Sequence, residues 1–171
     1  MRKEVEISSV FEETVEYLKG DGVILLAGNP PNPMTIGWGT IGYIWGKPIF
    51  TVLVRPSRFT FSLMESSTEF TVNLLPDEFA RQLSLCGTKS GRNIDKLTEC
   101  GFHTEQGINL LSHYLKESSV HFECRIVHEH DLIPENLDIS IARRYYPSDD
   151  FHKVYYGEIL GVFRDIPVPA F

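Results

Sequence analysis

The chain alternates short apolar runs with polar, glycine or proline breaks, and the spacing inside each run predicts its element. Phe11 to Lys19 (Phe-Glu-Glu-Thr-Val-Glu-Tyr-Leu-Lys) has helical spacing, and Gly20-Asp21-Gly22 stops it. Val23 to Gly28 reads as a buried strand. Asn29-Pro-Pro-Asn-Pro33 predicts a loop, because three prolines in four positions remove the donors a ladder needs. Thr35 to Trp45 and Pro48 to Arg55 read as two strands joined by a hairpin turn at Gly46-Lys47. A short helix is expected over Phe59 to Glu65, then a strand over Phe70 to Leu75, where Phe70, Val72 and Leu74 alternate. Pro76-Asp77 opens a helix running to about Leu85, with Phe79, Leu83 and Cys86 on one face. Ser90-Gly91 breaks the chain, and Asn93 to Glu99 predicts a further helical turn or two. Strands return with the alternating His121 to Val127, then Leu137 to Ala142 and Val154 to Phe163. The closing Pro-Val-Pro-Ala-Phe reads as a surface strap or a partner contact.

Strands at both ends with small helices between them predict an α+β, mainly β domain built on an antiparallel barrel. A length of 171 residues suits one domain over 1–171 with its own core. The longest apolar runs are too short to cross a bilayer, and the N-terminus lacks the apolar stretch of a secretory signal, so a cytoplasmic protein is expected. The net charge of −7 argues against nucleic acid as the main partner. That charge is uneven. Gly22 to Met64 contains no Asp or Glu, where average density would place about six. The same stretch carries Lys47, Arg55 and Arg58. A locally positive region suits a small anionic ligand, although a strand-rich core segment is also poor in acids.

The candidate chemistry sorts by context. Cys86, Cys100 and Cys124 are odd in number and form no Cys-x-x-Cys, which speaks against a disulfide framework or a structural zinc site. Gly37-Trp-Gly-Thr-Ile-Gly42 matches Gly-x-Gly-x-x-Gly, but prolines precede it, β-formers follow it, and no acid stands about 20 residues on. His128-Glu-His130-Asp131 would put two imidazoles on one strand face, but a third ligand group is missing, so a solvated strand end is the better reading. No Gly-x-Ser-x-Gly elbow is present. Two segments combine cations, hydroxyls and turn formers as phosphate recognition requires: Arg55-Pro-Ser-Arg-Phe-Thr60 and Lys89-Ser-Gly-Arg-Asn-Ile-Asp-Lys96. Either alone could be a plain charged turn. In Asn32-Pro-Met-Thr-Ile-Gly-Trp38, Asn32 and Thr35 offer polar partners and Met34 and Trp38 flat apolar cover, which would suit a flavin ring or simply a capped core.

Taken in order, Asn32-Pro-Met-Thr-Ile-Gly-Trp38, Lys47-Pro48, Val54-Arg-Pro-Ser-Arg-Phe-Thr60, Phe70-Thr-Val-Asn-Leu74, Cys86-Gly87, Ser90-Gly-Arg-Asn-Ile-Asp-Lys96 and Tyr156-Gly-Glu-Ile-Leu-Gly161 resemble the flavin reductase-like family of FMN-binding split barrels, which includes flavoredoxin. The resemblance implies an FMN-binding split β-barrel, antiparallel and Greek-key-like with short helices, a homodimer, and FMN near the subunit interface. It places the isoalloxazine near Asn32, Met34, Thr35 and Trp38, bordered by Cys86 and Gly87. It places the phosphate and ribityl chain near Arg55, Ser57, Arg58, Thr60, Ser90 and Lys96, and Val54 joins the cofactor-binding set. Arg143-Arg-Tyr-Tyr-Pro-Ser-Asp-Asp150 does not belong to the compact family pattern and reads as an insertion that could shape the flavin mouth. The activity implied is NAD(P)H-dependent flavin reduction, with NADH or NADPH as electron donor and no side-chain acid or base required. The alternatives are a flavoredoxin-like carrier serving another redox protein, and a flavin-binding protein without turnover.

Overall fold

The computed structural model of the chain describes residues 1–166, so the closing Pro167–Phe171 segment lies outside the described residues. In chain order the elements are β1 (Arg2–Glu4), α1 (Phe11–Lys19), β2 (Val23–Ala27), β3 (Asn32–Ile36), β4 (Gly39–Ile44), β5 (Lys47–Val54), α2 (Phe59–Met64), β6 (Glu69–Leu74), α3 (Ala80–Thr88), α4 (Lys96–Cys100), β7 (Thr104–Gln106), β8 (His113–Leu115), β9 (Val120–Asp131), α5 (Ile139–Tyr145) and β10 (Lys153–Asp165). The main sheet is antiparallel in the order β3-β2-β6-β9-β10-β5-β4, and β1 adds to the far end of β10. The strands β7 and β8 form a separate pair. None of the described helices is long and apolar enough to cross a membrane.

The connectivity makes this sheet a barrel. Laid flat at ~4.8 Å per strand, its edges β3 and β4 would stand roughly 29 Å apart. Yet only Gly37 and Trp38 separate these two strands in the chain, and three Cα steps of ~3.8 Å reach at most about 11 Å. The sheet must therefore curl until its edges meet. Among the described residues no ladder joins β3 to β4, and the barrel stays open along that seam.

Alternation decides which side chains fill the interior. Val23 and Leu25 of β2 face inward with Val52, Phe70, Val72, Phe122 and Tyr155. Ile24 and Leu26, from the other face of the same strand, pack outward with Leu83, Cys86, Cys100 and Leu115. This second layer pins α3 and α4 to the outside of β2 and β3. Each fully buried aliphatic side chain contributes about 1.5–3 kcal/mol. At the β10 bulge next to Gly157, a Cβ would lie 2.7 Å from Cys124 Cβ, so only glycine permits that strand crossing.

Several expectations change. The predicted strand over Thr35 to Trp45 is two strands, broken at the Gly37-Trp38 corner and carried to opposite edges of the sheet. Asn32 and Pro33, expected in a loop, begin β3, with Pro33 opposite Leu26. An edge strand tolerates that proline because its missing N–H belongs on the unpaired side. The hairpin turn sits one residue earlier than expected, on Trp45 (φ 54°) and Gly46 (φ 71°), with Lys47 already in β5. Leu137 to Ala142 is not a strand: α5 begins at Ile139 because the Asp138 carboxylate accepts the Ser140 N–H at 2.8 Å.

Candidate functional site

A cleft of about 170 Å³ opens beside β3 and the end of β5, walled by Met34, Thr35, Trp38, Leu53, Arg55, Arg58 and His152. A recess of about 80 Å³ shares Met34 and Arg58 with it and continues past Ser57, Thr60, Ser90 and Gly91 to Lys96. Four separate stretches thus converge: β3, the end of β5 with its turn into α2, the loop from α3 into α4, and the residue His152 just before β10.

Local chemistry sets each of them. The turn after β5 is closed by the Arg58 N–H donating to Arg55 O at 3.0 Å. The α4 helix starts on Asp95, whose carboxylate accepts the Leu97 and Thr98 N–H groups at 3.0 and 3.4 Å and holds Lys96 in the first helical position. Asn32 Nδ2 donates to Thr60 Oγ1 at 2.9 Å, both groups buried, which ties β3 to α2. At Gly91 a Cβ would collide with the Asn32 amide and lie 2.7 Å from Phe59, so the α3–α4 loop can approach β3 only through glycine.

The recess is cationic and carries no acid of its own. Lys96 is 4% exposed, and its ammonium donates to Cys86 O at 2.8 Å and Pro33 O at 3.1 Å. That leaves one of its three donors uncommitted. Burial, aided by the nearby Arg58, holds its pKa below the usual lysine range. Arg58 Nη2 donates to Gly87 O at 2.7 Å. Both cations are met by backbone carbonyls rather than carboxylates, an arrangement that leaves their charge available to an anion. Arg92 adds a second guanidinium beside the recess, donating to Ser57 O at 3.1 Å above the Phe59 ring.

One wall of the larger cleft is apolar, through Met34, Leu53 and Trp38. Trp38 projects from the seam corner, 40% exposed, with Tyr145 edge-on at 5.1 Å and His152 at 5.2 Å. Thr35 spends its hydroxyl proton on Leu83 O at 2.6 Å and so anchors α3. His152 Nδ1 lies 2.8 Å from the Tyr146 hydroxyl. Burial first, then the Arg55 charge, push the His152 pKa down to about 4, so the imidazole is neutral at pH 7.

Most sequence-predicted residues meet here: Met34, Thr35, Trp38, Arg55 and Arg58 in the cleft, Ser57, Thr60, Ser90 and Lys96 in the recess, with Asn32 and Gly87 behind them. Two do not bring their side chains. Val54 belongs to the barrel core. The Cys86 thiol points into the outer apolar layer, 3.8 Å from Cys100 Sγ, where burial pushes its pKa up to about 12. Only the carbonyl of Cys86 reaches the recess. Sequence reasoning missed Leu53 and His152. His152 carries no motif, and its role arises from α5 folding over the cleft. The Arg143–Asp150 stretch was singled out, and it does reach the site: Arg55 donates to Tyr145 O (2.8 Å) and Asp150 O (3.0 Å), and its guanidinium lies 4.9 Å above the Tyr146 ring. The Gly-x-Gly-x-x-Gly match is a corner followed by β4, with no helix to hold a pyrophosphate. His128 and His130 share one exposed face of β9, their rings 5.7 Å apart.

Comparison with known proteins agrees with this fold. Flavoredoxin of Desulfovibrio vulgaris (Miyazaki F) superposes with a TM-score of 0.66 at 20% identity, covering 84% of this chain and 68% of that one. An FMN-binding domain of a flavin reductases-like enzyme from Shewanella baltica gives a TM-score of 0.67 at 16% identity over 96% and 78% of the two chains. An NADH:FAD oxidoreductase of Streptomyces globisporus gives a TM-score of 0.64 at 16% identity over 90% and 83%. Among curated proteins, an uncharacterized protein of Archaeoglobus fulgidus is 27% identical over 99 residues, and the match spans about half its length (55%). The flavin reductase like domain is matched by residues 21–165, from two residues before β2 to the end of β10. Fold and sequence model point the same way, and the chain belongs to the flavin reductase-like family.

Proposed function

We propose that the protein binds FMN in this cleft and recess and works as an NAD(P)H-dependent flavin reductase. One observation carries the reading. An apolar wall (Met34, Leu53, Trp38) adjoins a recess whose buried Lys96 ammonium and half-buried Arg58 guanidinium have no carboxylate partner. The residues fit the group: Arg58, Lys96 and Ser90 would hold the phosphate, Thr60 would border the ribityl chain, and Asn32, Met34 and Trp38 would lie against the ring. Bound there, the flavin would supply the two-electron chemistry, and the protein supplies position and electrostatics. Lys96 contributes charge already desolvated and Arg58 charge partly so, which strengthens their pull on a phosphate. Neutral His152 and the Tyr146 hydroxyl close one side of the cleft and limit water there. No side chain is assigned as acid or base.

The test is the visible spectrum of protein mixed with FMN and desalted, followed by anaerobic addition of NADH or NADPH. Retained flavin bands that bleach with either nucleotide support the reductase. Retained bands that ignore both would favour a flavoredoxin-like carrier with a redox-protein partner. The crowding of the mouth by Trp38, Tyr145 and His152 favours that second reading, since it narrows the space for a stacked nicotinamide. We propose a homodimer as well: Tyr43 (74% exposed), Trp45 (61%) and Ile139 (63%) are large apolar side chains left in solvent. Light scattering at micromolar concentration checks it.

A further inference from the structure

The stretch joining α5 to β10 has put a carboxylate where a ligand anion would be expected. Asp150 accepts the Ser57 backbone N–H at 3.2 Å and the Ser57 hydroxyl at 2.5 Å, one with each carboxylate oxygen. Its Oδ2 lies 4.0 Å from the Arg55 guanidinium. A backbone N–H, a hydroxyl and an arginine around one anion are the donor set that binds phosphate oxygens. The carboxylate is not a loose tip. The Asp150 carbonyl accepts from Arg55 at 3.0 Å, Phe151 stacks on Tyr146 at 4.6 Å, and the Leu132 N–H donates to His152 O at 3.1 Å. The basic turn after β5 is therefore divided. Arg55 and Ser57 form one anion seat, already filled from within the chain. Arg58, three residues on, turns the other way into the recess with Lys96.

We infer that Asp150 is a specificity-determining residue that keeps the Arg55–Ser57 seat closed to ligand anions. The Arg58–Lys96 recess then receives a single phosphate, and a second anionic group brought close to the mouth meets the Asp150 charge. Resting on the FMN reading above, the consequence is a preference for the mononucleotide flavin over the dinucleotide flavin FAD. Removing the charge opens a second phosphate site on Arg55, Ser57 N–H and Ser57 Oγ.

The seat itself is tested with inorganic phosphate, without flavin. Thermal midpoints are compared in phosphate and in chloride at equal ionic strength for the wild type, Lys96→Met, Asp150→Ala and the Lys96→Met/Asp150→Ala double variant. Phosphate is expected to raise the wild-type midpoint, to lose that effect in Lys96→Met, and to regain it in the double variant. Phosphate stabilisation that persists in Lys96→Met alone, or a double variant that ignores phosphate, overturns the assignment. Flavin preference is then read by fluorescence titration of the wild type and Asp150→Asn, which keeps an acceptor oxygen for Ser57 and so preserves the loop if the alanine variant fails to fold. FAD is expected to bind about tenfold tighter in Asp150→Asn, the scale of one screened like-charge contact, while FMN changes by less than about twofold. An unchanged FAD-to-FMN ratio refutes the specificity role. FMN tightening as much as FAD would also refute it, by placing the FMN phosphate on Arg55 and Ser57. A wild type that binds neither flavin but shows the phosphate pattern would remove the FMN reading and leave the closed seat standing.

Discussion

Replacing Lys96 by Met separates a binding lysine from a structural one. The side chain is 4% exposed and keeps its ammonium on two carbonyls, 2.8 and 3.1 Å away, with Arg58 nearby and no carboxylate. A charged hydrogen bond to a phosphate is worth ~1.5–3 kcal/mol, so Lys96→Met should weaken FMN by roughly 10- to 150-fold. Without ligand the effect runs differently. The variant gives up two hydrogen bonds of about 1 kcal/mol each, but it also removes a buried unpaired charge, a change that is often neutral or stabilising. Flavin-free Lys96→Met should therefore stay within about 2 kcal/mol of the wild type at pH 7.

The pH dependence gives a second reading of the same residue. The folded-state pKa of Lys96 is lowered, chiefly by burial. Between that value and the unfolded value near 10.5, the unfolded chain binds more protons, so stability rises with pH. Below this window the full penalty is present, and at its upper end the penalty is gone. The advantage of Met over Lys should accordingly shrink as the pH climbs toward 10.5. Urea unfolding at pH 7 and pH 10, paired with flavin fluorescence titration, measures both effects. An unchanged FMN affinity, or a loss of more than about 4 kcal/mol in the flavin-free variant, the cost of breaking a structural buried pair, would refute this reasoning.

Four further outcomes are expected. With a folded pKa of about 4 against 6.5 unfolded, His152 should cost stability as pH falls from 6.5 to 4, because the unfolded chain takes the proton first; solvent screening at this half-buried site limits the loss to ~1–2 kcal/mol, and a His152→Gln variant with the same acid slope would exclude this residue. Gly91→Ala should destabilise by ~1–3 kcal/mol through the clash with Asn32 and Phe59 and should weaken FMN; an unaltered melting curve would mean that the α3–α4 loop yields freely. Trp38→Ala should shift the absorption or emission of bound flavin, and an identical spectrum would take the indole off the ring. Cys86, Cys100 and Cys124 are buried with raised pKa values, so a thiol reagent at pH 8 should label them only in denaturant; prompt labelling of the native protein would contradict their burial.

The periodic elements were readable because burial enforced a period: α1 and the strands β2, β5, β6, β9 and β10 sit within a few residues of their predicted bounds. The errors fall where tertiary context overrides the local signal. Nothing in Thr35-Ile-Gly-Trp-Gly-Thr marks Gly37-Trp38 as a corner, because either half suits a strand and only closure of the barrel demands the break. In α5, Ile139 and Ile141 alternate like a half-buried strand, but both stay exposed, and the Asp138 cap decides for helix. The short strands β1, β7 and β8 have three residues each, too few to show any period.

The site divides along the same line. Residue types that bind phosphate can be recognised in Arg55-Pro-Ser-Arg-Phe-Thr60, but their partners cannot, because those come from residues 87, 96 and 150. Arg55 and Arg58 are three apart and look equivalent on paper. The turn from β5 into α2 rotates the backbone between them, so Arg55 meets the α5–β10 stretch and Arg58 meets α3. Both arginines donate to backbone carbonyls, and what separates them is the charge nearby: Arg55 has the Asp150 carboxylate 4.0 Å away, whereas Arg58 meets only the carbonyl at position 87. A relative keeping both arginines but carrying an uncharged residue at position 150 would, on this argument, offer two phosphate seats where this chain offers one. Exchanging that single position is therefore the smallest change able to separate the two anion sites.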